Sequence, residues 1–145
     1  MQGEPVVVPP HSETVSGHVL VVDDDSLIRE ATCAYLSLYG DIRSQGAPDG
    51  LAGCEMAIAA RDKGWPYDLI LMDMNMPELD GYEATRRLRR FGWGGPIVAL
   101  TGEILPGDRE KCLDAGCDEY VPKQFAVREL PSILHRYLPK RSGNA

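Results

Sequence analysis

Asp73 follows the apolar run LILM, Asp23 and Asp24 follow HVLVV, Thr101 follows IVAL, and Lys123 stands just beyond EYV. Acid, hydroxyl and amine groups at the tips of apolar runs sit where open α/β sheets place their ligands, in the crevice beyond the strand ends. Three carboxylates gathered at one edge repel each other, and a divalent cation removes that conflict. Hard oxygen donors with several waters suit Mg²⁺. A carboxylate is also a nucleophile toward a phosphoryl group. Phosphoryl transfer asks for positioning and charge neutralisation more than for protein acid–base chemistry. Lys123 offers a second positive centre and Thr101 a hydroxyl hydrogen bond. The five residues form a chemically complete set for making and holding an aspartyl phosphate, with Asp73 as the acceptor.

The elements that must position these residues alternate. His18–Val22 reads as a strand buried on both faces. A helix follows Asp23–Ser26, with Ile28, Ala31, Thr32 and Tyr35 at helical spacing, and Gly40 ends it. Asp41–Gln45 is a weaker strand, and Ala47–Gly50 a turn. Leu51–Arg61 is a helix with Leu51, Cys54 and Ile58 inward. The Asp73 strand precedes a turn of Asn75, Pro77, Asp80 and Gly81. Tyr82–Arg90 is a third helix whose basic end (Arg86, Arg87, Arg89, Arg90) suits the helix dipole and reads as a solvated surface. Ile97–Leu100 is a strand, Pro106–Ala115 a helix closed by Gly116, Glu119–Val121 a short strand and Val127–Leu138 a last helix. Pro131 would lie in the first turn of that helix if it starts late, near Arg128 or Glu129, where the missing N–H costs nothing. Five β–α pairs predict a doubly wound α/β fold, a parallel sheet with helices on both faces.

The chain has 145 residues, 43% hydrophobic and 26% charged, which fits one globular domain over residues 17–139. Residues 1–16, with Pro5, Pro9 and Pro10, read as a flexible leader or linker, in which Val6–Val8 is an extended arm, and residues 140–145 as a polar tail. A net charge of −7 argues against direct nucleic-acid binding. No apolar run is long enough to span a bilayer, and MQGEPVVVPP lacks the form of a secretory signal. The four cysteines, Cys33, Cys54, Cys112 and Cys117, match neither zinc spacing nor C-x-x-C. They read as reduced thiols in a cytoplasmic protein.

The segments VLVVDDD, LILMDMNMPELDGYEATRRLR, IVALTG and CLDAGCDEYVPK together resemble the receiver domain of two-component response regulators, over roughly Val19–Leu138. The resemblance implies a flavodoxin-like (βα)5 fold, strand order 2-1-3-4-5, and phosphoryl transfer from a phosphohistidine onto Asp73 with Mg²⁺. It implies that Asp24 contacts the metal directly, Asp23 largely through water, and Asn75 through its backbone carbonyl. Thr101 and Tyr120 would be the switch pair, Lys123 the ion-pairing partner, and Gly102 would keep the approach open. Asn75 and Glu103 resemble the pair in the chemotaxis regulator and imply a short-lived phosphoryl group. Lys123 is followed by Gln124 where the family usually has proline, so a trans Lys123–Gln124 bond and a reshaped loop are expected. The implied partners are a histidine kinase or a histidine phosphotransfer domain. The leader and the wording GYEATRRLR and DEYVPK are most similar to receivers of hybrid sensor histidine kinases, whose parent chain would be the kinase. The domain itself would catalyse only phosphoryl uptake and self-dephosphorylation.

Each residue alone has a plainer reading. Asp25 and Ser26 can cap the first helix, but one cap does not use Asp23 and Asp24 as well. Asp73 could cap the third helix, Thr101 could be an ordinary helix-entry residue, Lys123 a solvated lysine and Tyr120 plain core. Leu27 is either a partly buried helix-start leucine or part of a surface docking the helix that carries the donor histidine. Three functions compete: a phosphorelay receiver, stand-alone or in a hybrid kinase with no output domain following; a docking module weakly dependent on phosphorylation; and a related phosphatase. The last would want an acid where Asn75 stands.

Overall fold

A computed structural model describes residues 14–77, 79–102 and 105–141. The elements in chain order are β1 (Thr14–Val22), α1 (Ser26–Tyr39), β2 (Asp41–Ala47), α2 (Gly50–Asp62), β3 (Leu69–Asp73) and α3 (Gly81–Arg90). They continue with β4 (Ile97–Thr101), α4 (Asp108–Ala115), β5 (Glu119–Pro122), α5 (Ala126–Tyr137) and β6 (Lys140–Arg141). The sheet order is β2-β1-β3-β4-β5, all parallel. This is the doubly wound, flavodoxin-like (βα)5 arrangement with order 2-1-3-4-5.

Every residue of β3 and β4 is buried, which explains why these strands are unbroken aliphatic runs rather than alternating ones. One face of the sheet packs Leu20, Ile70, Met72 and Ala99 against Cys54, Ala57, Leu88 and Cys112 of α2, α3 and α4. The other packs Val19, Val21, Leu69 and Leu71 against Leu36 of α1 and Leu130, Ile133 and Leu134 of α5. Burying each such side chain is worth about 1.5–3 kcal/mol, so the two clusters hold the strand tips in fixed register.

Three helices start on an aspartate. Asp25 accepts from the N–H groups of Leu27 (3.0 Å) and Ile28 (3.2 Å), Asp49 from Ala52 (2.8 Å) and Asp80 from Glu83 (2.9 Å). These caps satisfy orphan donors of the first turn. They also settle that Asp80, not Asp73, caps α3.

Several boundaries differ from the sequence expectation. β1 begins at Thr14 rather than His18 and β2 runs on to Ala47, because Ala47 is fully buried and pairs with Val22. α4 starts at Asp108, two residues after Pro106, behind Gly107 in the left-handed region (φ 87°). Leu51 is 51% exposed, and α2 instead turns Gly50, Gly53, Cys54 and Ala57 inward. Ile28 and Ala31 are exposed and Thr32 and Tyr35 half-buried, while Leu36 alone of α1 is fully inside. α5 does not start late. A 3-10 turn over Lys123–Phe125 leads straight into Ala126, which places Pro131 in the second turn. The last described residues add β6, antiparallel to the start of β1 (Thr14 opposite Arg141, Val15 opposite Lys140). The Lys123–Gln124 peptide is trans, as expected. The extended arm at Val6–Val8 lies outside the described residues.

Candidate functional site

Asp23 lies one residue past the end of β1 and Asp73 is the last residue of β3. Both are buried, at 2% and 0% exposure. Their carboxylates are fixed in the same way. Asp23 Oδ1 accepts from the backbone N–H of Asp25 and Asp73 Oδ1 from that of Asn75, each at 2.9 Å. An aspartate bonding the N–H two residues on mimics a backbone turn, so each strand end breaks sharply and leaves its second oxygen for the pocket. Asp24, exposed, completes a group in which one carboxylate oxygen from each of Asp23, Asp24 and Asp73 lies within 4.8 Å of the others.

Lys123 closes the group. Its Nζ is 3.1 Å from Asp73 Oδ1 and 3.9 Å from Asp23 Oδ2. The altered neighbour Gln124 does not divert it. Pairing of Thr101 with Pro122 across β4 and β5 delivers Lys123 beside the tip of β4, and Thr101 is buried there at 2%. Asn75 is exposed, and its side-chain Oδ1 accepts from the N–H of Gly102 at 2.8 Å. That bond ties the loop after β3 to the loop after β4. Tyr120 is half-buried against the cluster under α3 and α4. Leu27 is 76% exposed on the first turn of α1. Glu103 lies outside the described residues.

The fit to a hard cation rests on one oxygen. Asp73 Oδ2 is buried without a hydrogen-bond partner among the described residues, and a buried unpaired carboxylate oxygen is costly. An oxygen-seeking divalent ion beside Asp23 and Asp24 would satisfy it, and the all-oxygen donor set suits Mg²⁺.

Two supporting contacts were not legible in the sequence. Arg29 Nη1 donates to the backbone carbonyl of Asp23 at 2.7 Å, steadying the acid pair from α1. Its stem passes over Gly46, where a Cβ would come within 2.8 Å of it. Gly81 opens α3 against the strand it follows. A Cβ there would press on the Asp73 carbonyl and lie 2.7 Å from Met74 Cα. The turn signal at Gly81 was visible, but not this close approach.

Beside the acids, Asp23, Ile28, Tyr35, Lys123, Val127 and Leu130 help line a largely apolar groove of about 290 Å³ between α1 and α5. The stripe on α1 expected in the core lies along this groove, which is why Ile28 stays 42% exposed.

Comparison with known proteins agrees with this geometry. The profile of the response regulator receiver domain matches residues 19–135. The chain is 38% identical over 120 residues to the two-component response regulator ORR41 of rice (Oryza sativa subsp. japonica), covering 82% of this chain and 92% of that protein. It spans only half the length of the response regulator MprA of Mycobacterium leprae, at 42% identity and with 83% of this chain covered. Among solved structures, the chemotaxis protein CheY4 of Vibrio cholerae superposes with a TM-score of 0.75 at 30% identity, covering 85% of this chain and 99% of that one. The receiver domain of the histidine kinase CKI1 from Arabidopsis thaliana, complexed with Mg²⁺, superposes with a TM-score of 0.72 at 29% identity, covering 88% and 96%.

Proposed function

Because this chain belongs to the response-regulator receiver family of two-component phosphorelays, we propose that Asp73 is its phosphoryl acceptor. The observation that carries this is the asymmetry of one carboxylate. Asp73 Oδ1 is held by Lys123 and the Asn75 N–H, while Oδ2 is buried and, among the described residues, without a partner. Oδ2 is the nucleophile. It forms the new bond to phosphorus as the phosphorus–nitrogen bond of a phosphohistidine breaks, and the freed imidazole leaves with a proton. The Lys123 ammonium offsets negative charge on the entering phosphoryl group. The Thr101 hydroxyl, at the adjacent strand tip, turns toward a phosphoryl oxygen.

Asp23, Asp24, Asp73 and the Asn75 carbonyl would hold Mg²⁺, with Asp23 acting largely through water. When bound, the ion neutralises charge on the phosphoryl oxygens. Movement of Thr101 opens space for the Tyr120 ring and shifts a two-state equilibrium over α4, β5 and α5. Asn75 and Glu103 set how long the phosphoryl group lasts. The domain's own catalysis is phosphoryl uptake and self-dephosphorylation.

The donor is a histidine kinase or histidine phosphotransfer domain in the cytoplasm. The exposed Leu27, on the first turn of α1, docks its helix. Replacing Leu27 with Asp is expected to slow uptake from a phosphohistidine protein at least tenfold while leaving uptake from acetyl phosphate unchanged. Equal loss with both donors would remove Leu27 from docking.

The parent is a hybrid sensor histidine kinase, a reading supported by the wording GYEATRRLR and DEYVPK and by likeness to the receiver of a histidine kinase. A stand-alone regulator is the second reading, favoured by the 92% coverage of ORR41. The coding sequence on either side of residues 1 and 145 decides between them. The Lys123–Asp73 ion pair weighs against a docking-only module, whose sole support was a misdirected lysine.

The testing experiment is a beryllofluoride titration with and without Mg²⁺, read by tryptophan fluorescence or NMR. Wild type is expected to saturate only with Mg²⁺, and Asp73→Asn not to respond. A folded wild type that does not respond overturns the assignment.

A further inference from the structure

Cys112 and Cys117 meet at the end of α4. Gly116 there has φ 119°, and the N–H of Cys117 bonds back to the Cys112 carbonyl at 3.0 Å while the N–H of Gly116 bonds to that of Leu113 at 3.0 Å. This paired closure of a helix normally brings together two apolar side chains, one from the last turn and one just past the glycine. In this chain both positions are cysteines, and both belong to the one buried cluster under α3 and α4. Both are free and buried. Two polar atoms of α3 back them. Tyr82 Oη is 3.9 Å from the Cys112 sulfur and Thr85 Oγ1 is 3.8 Å from the Cys117 sulfur. Lys111 Nζ lies 4.3 Å from the centre of the Tyr82 ring.

We propose that Cys112 and Cys117 form a redox modification site, a dithiol that a hydroperoxide converts to an intramolecular disulfide clamping the end of α4 to the start of β5. The roles of the two sulfurs differ. The Cys117 thiol, the Tyr82 hydroxyl and the nearby Lys111 charge hold Cys112 below its usual range despite burial, while the same hydrogen bond and burial push Cys117 up. The Tyr82 hydroxyl beside its sulfur and the Lys111 charge over the Tyr82 ring make Cys112 the sulfur that attacks. Its thiolate attacks one peroxide oxygen, so a sulfur–oxygen bond forms as the oxygen–oxygen bond breaks. The departing hydroxide takes up the proton Cys112 released and leaves as water. The Cys117 sulfur then attacks the Cys112 sulfenic acid. The sulfur–sulfur bond forms, the sulfur–oxygen bond breaks, and the oxygen leaves as a second water with the Cys117 proton. Two thiols lose two electrons and one hydroperoxide gains them.

Access comes from α4 itself. It has eight residues, and only Cys112 and Ala115 are buried. So shallow an attachment opens locally at small cost. Among the described residues Cys54 has no sulfur partner; its thiol contacts the Ala84 carbonyl at 3.5 Å and burial raises it. It is the internal control, and half-buried Cys33 is the exposure control.

The test treats reduced wild-type protein with equimolar hydrogen peroxide, alkylates it in denaturant, and maps peptides by mass. The expected product is a Cys112–Cys117 link, 2 Da lighter than the dithiol, formed at least tenfold faster than any oxidation of Cys54. Hydrogen exchange of residues 108–117 slows in that product. Cys112→Ser and Cys117→Ser do not form the link, and Cys117→Ser leaves a sulfenic acid at Cys112 that dimedone traps. Preferential oxidation of Cys33, or over-oxidation of Cys112 with no link in wild type, overturns the proposal, and this arm needs no variant to fold.

Discussion

Asp23 and Asp73 share one construction, a carboxylate turned back onto the N–H two residues ahead, with the Lys123 ammonium beside both. This is why the acids could be read from sequence: a strand end followed by a turn residue is enough. Arg29 could not, since its grip on the Asp23 carbonyl depends on how α1 leaves its cap and on the space above Gly46. Nor could the meeting of Cys112 and Cys117, five positions apart, which needs the left-handed Gly116 to fold the chain back. A third cluster shows how a single residue responds to pH. Glu119 accepts from Arg136 at 2.6 Å and from Tyr137 at 2.7 Å. Burial opposes its ionisation, but these two partners outweigh burial and hold it below the ordinary 4.5. Tyr137 is pushed up to about 12, by burial first and by the Glu119 carboxylate second. A lowered folded-state value means that the Glu119 contribution is present above about pH 4.5 and fades as pH falls through the folded value. Solvent screening holds it to about 1 kcal/mol or less. Melting temperatures of wild type and Glu119→Gln are expected to differ at pH 7 and to converge as pH falls below 4.5. A gap independent of pH would show that the ionised carboxylate contributes nothing.

At the level of elements, strands were more legible than helix faces. β3 and β4 are buried on both sides, so any reading of their aliphatic runs gives the same answer. A helix face depends on what covers it. Leu51 was assigned inward on spacing alone, yet the glycines and alanines of α2 let that helix approach the sheet, leaving Leu51 outside. Ile28 lies over a groove rather than a filled core. Pro131 gives the clearest miss. Local propensity argued for a late start, but Leu130, Ile133 and Leu134 anchor α5 strongly enough to carry a proline in the second turn. The carbonyl left without its helical donor belongs to Val127, whose side chain is 68% exposed, so water can serve it. Pro131→Ala restores that bond. A helix-interior proline costs about 3 kcal/mol relative to alanine, and the stiffer unfolded chain returns up to about 1 kcal/mol. The variant is expected to gain about 2 kcal/mol in urea unfolding. An unchanged midpoint would mean that the 3-10 turn at Lys123–Phe125 already relieves the strain.

For the molecule as a whole, alternation of β and α segments was sufficient to predict the layers, and the resemblance supplied the strand order. The far end of the sheet was invisible, because two residues of a polar tail carry no signal of a strand. Among the described residues, no helix is long and apolar enough to cross a membrane. The pairing of Thr14 with Arg141 brings the place where the chain enters the sheet next to the place where it leaves. The acid pocket and this junction of the two described chain ends stand at opposite ends of β1, nine residues long, which at about 3.3 Å per residue separates them by about 26 Å.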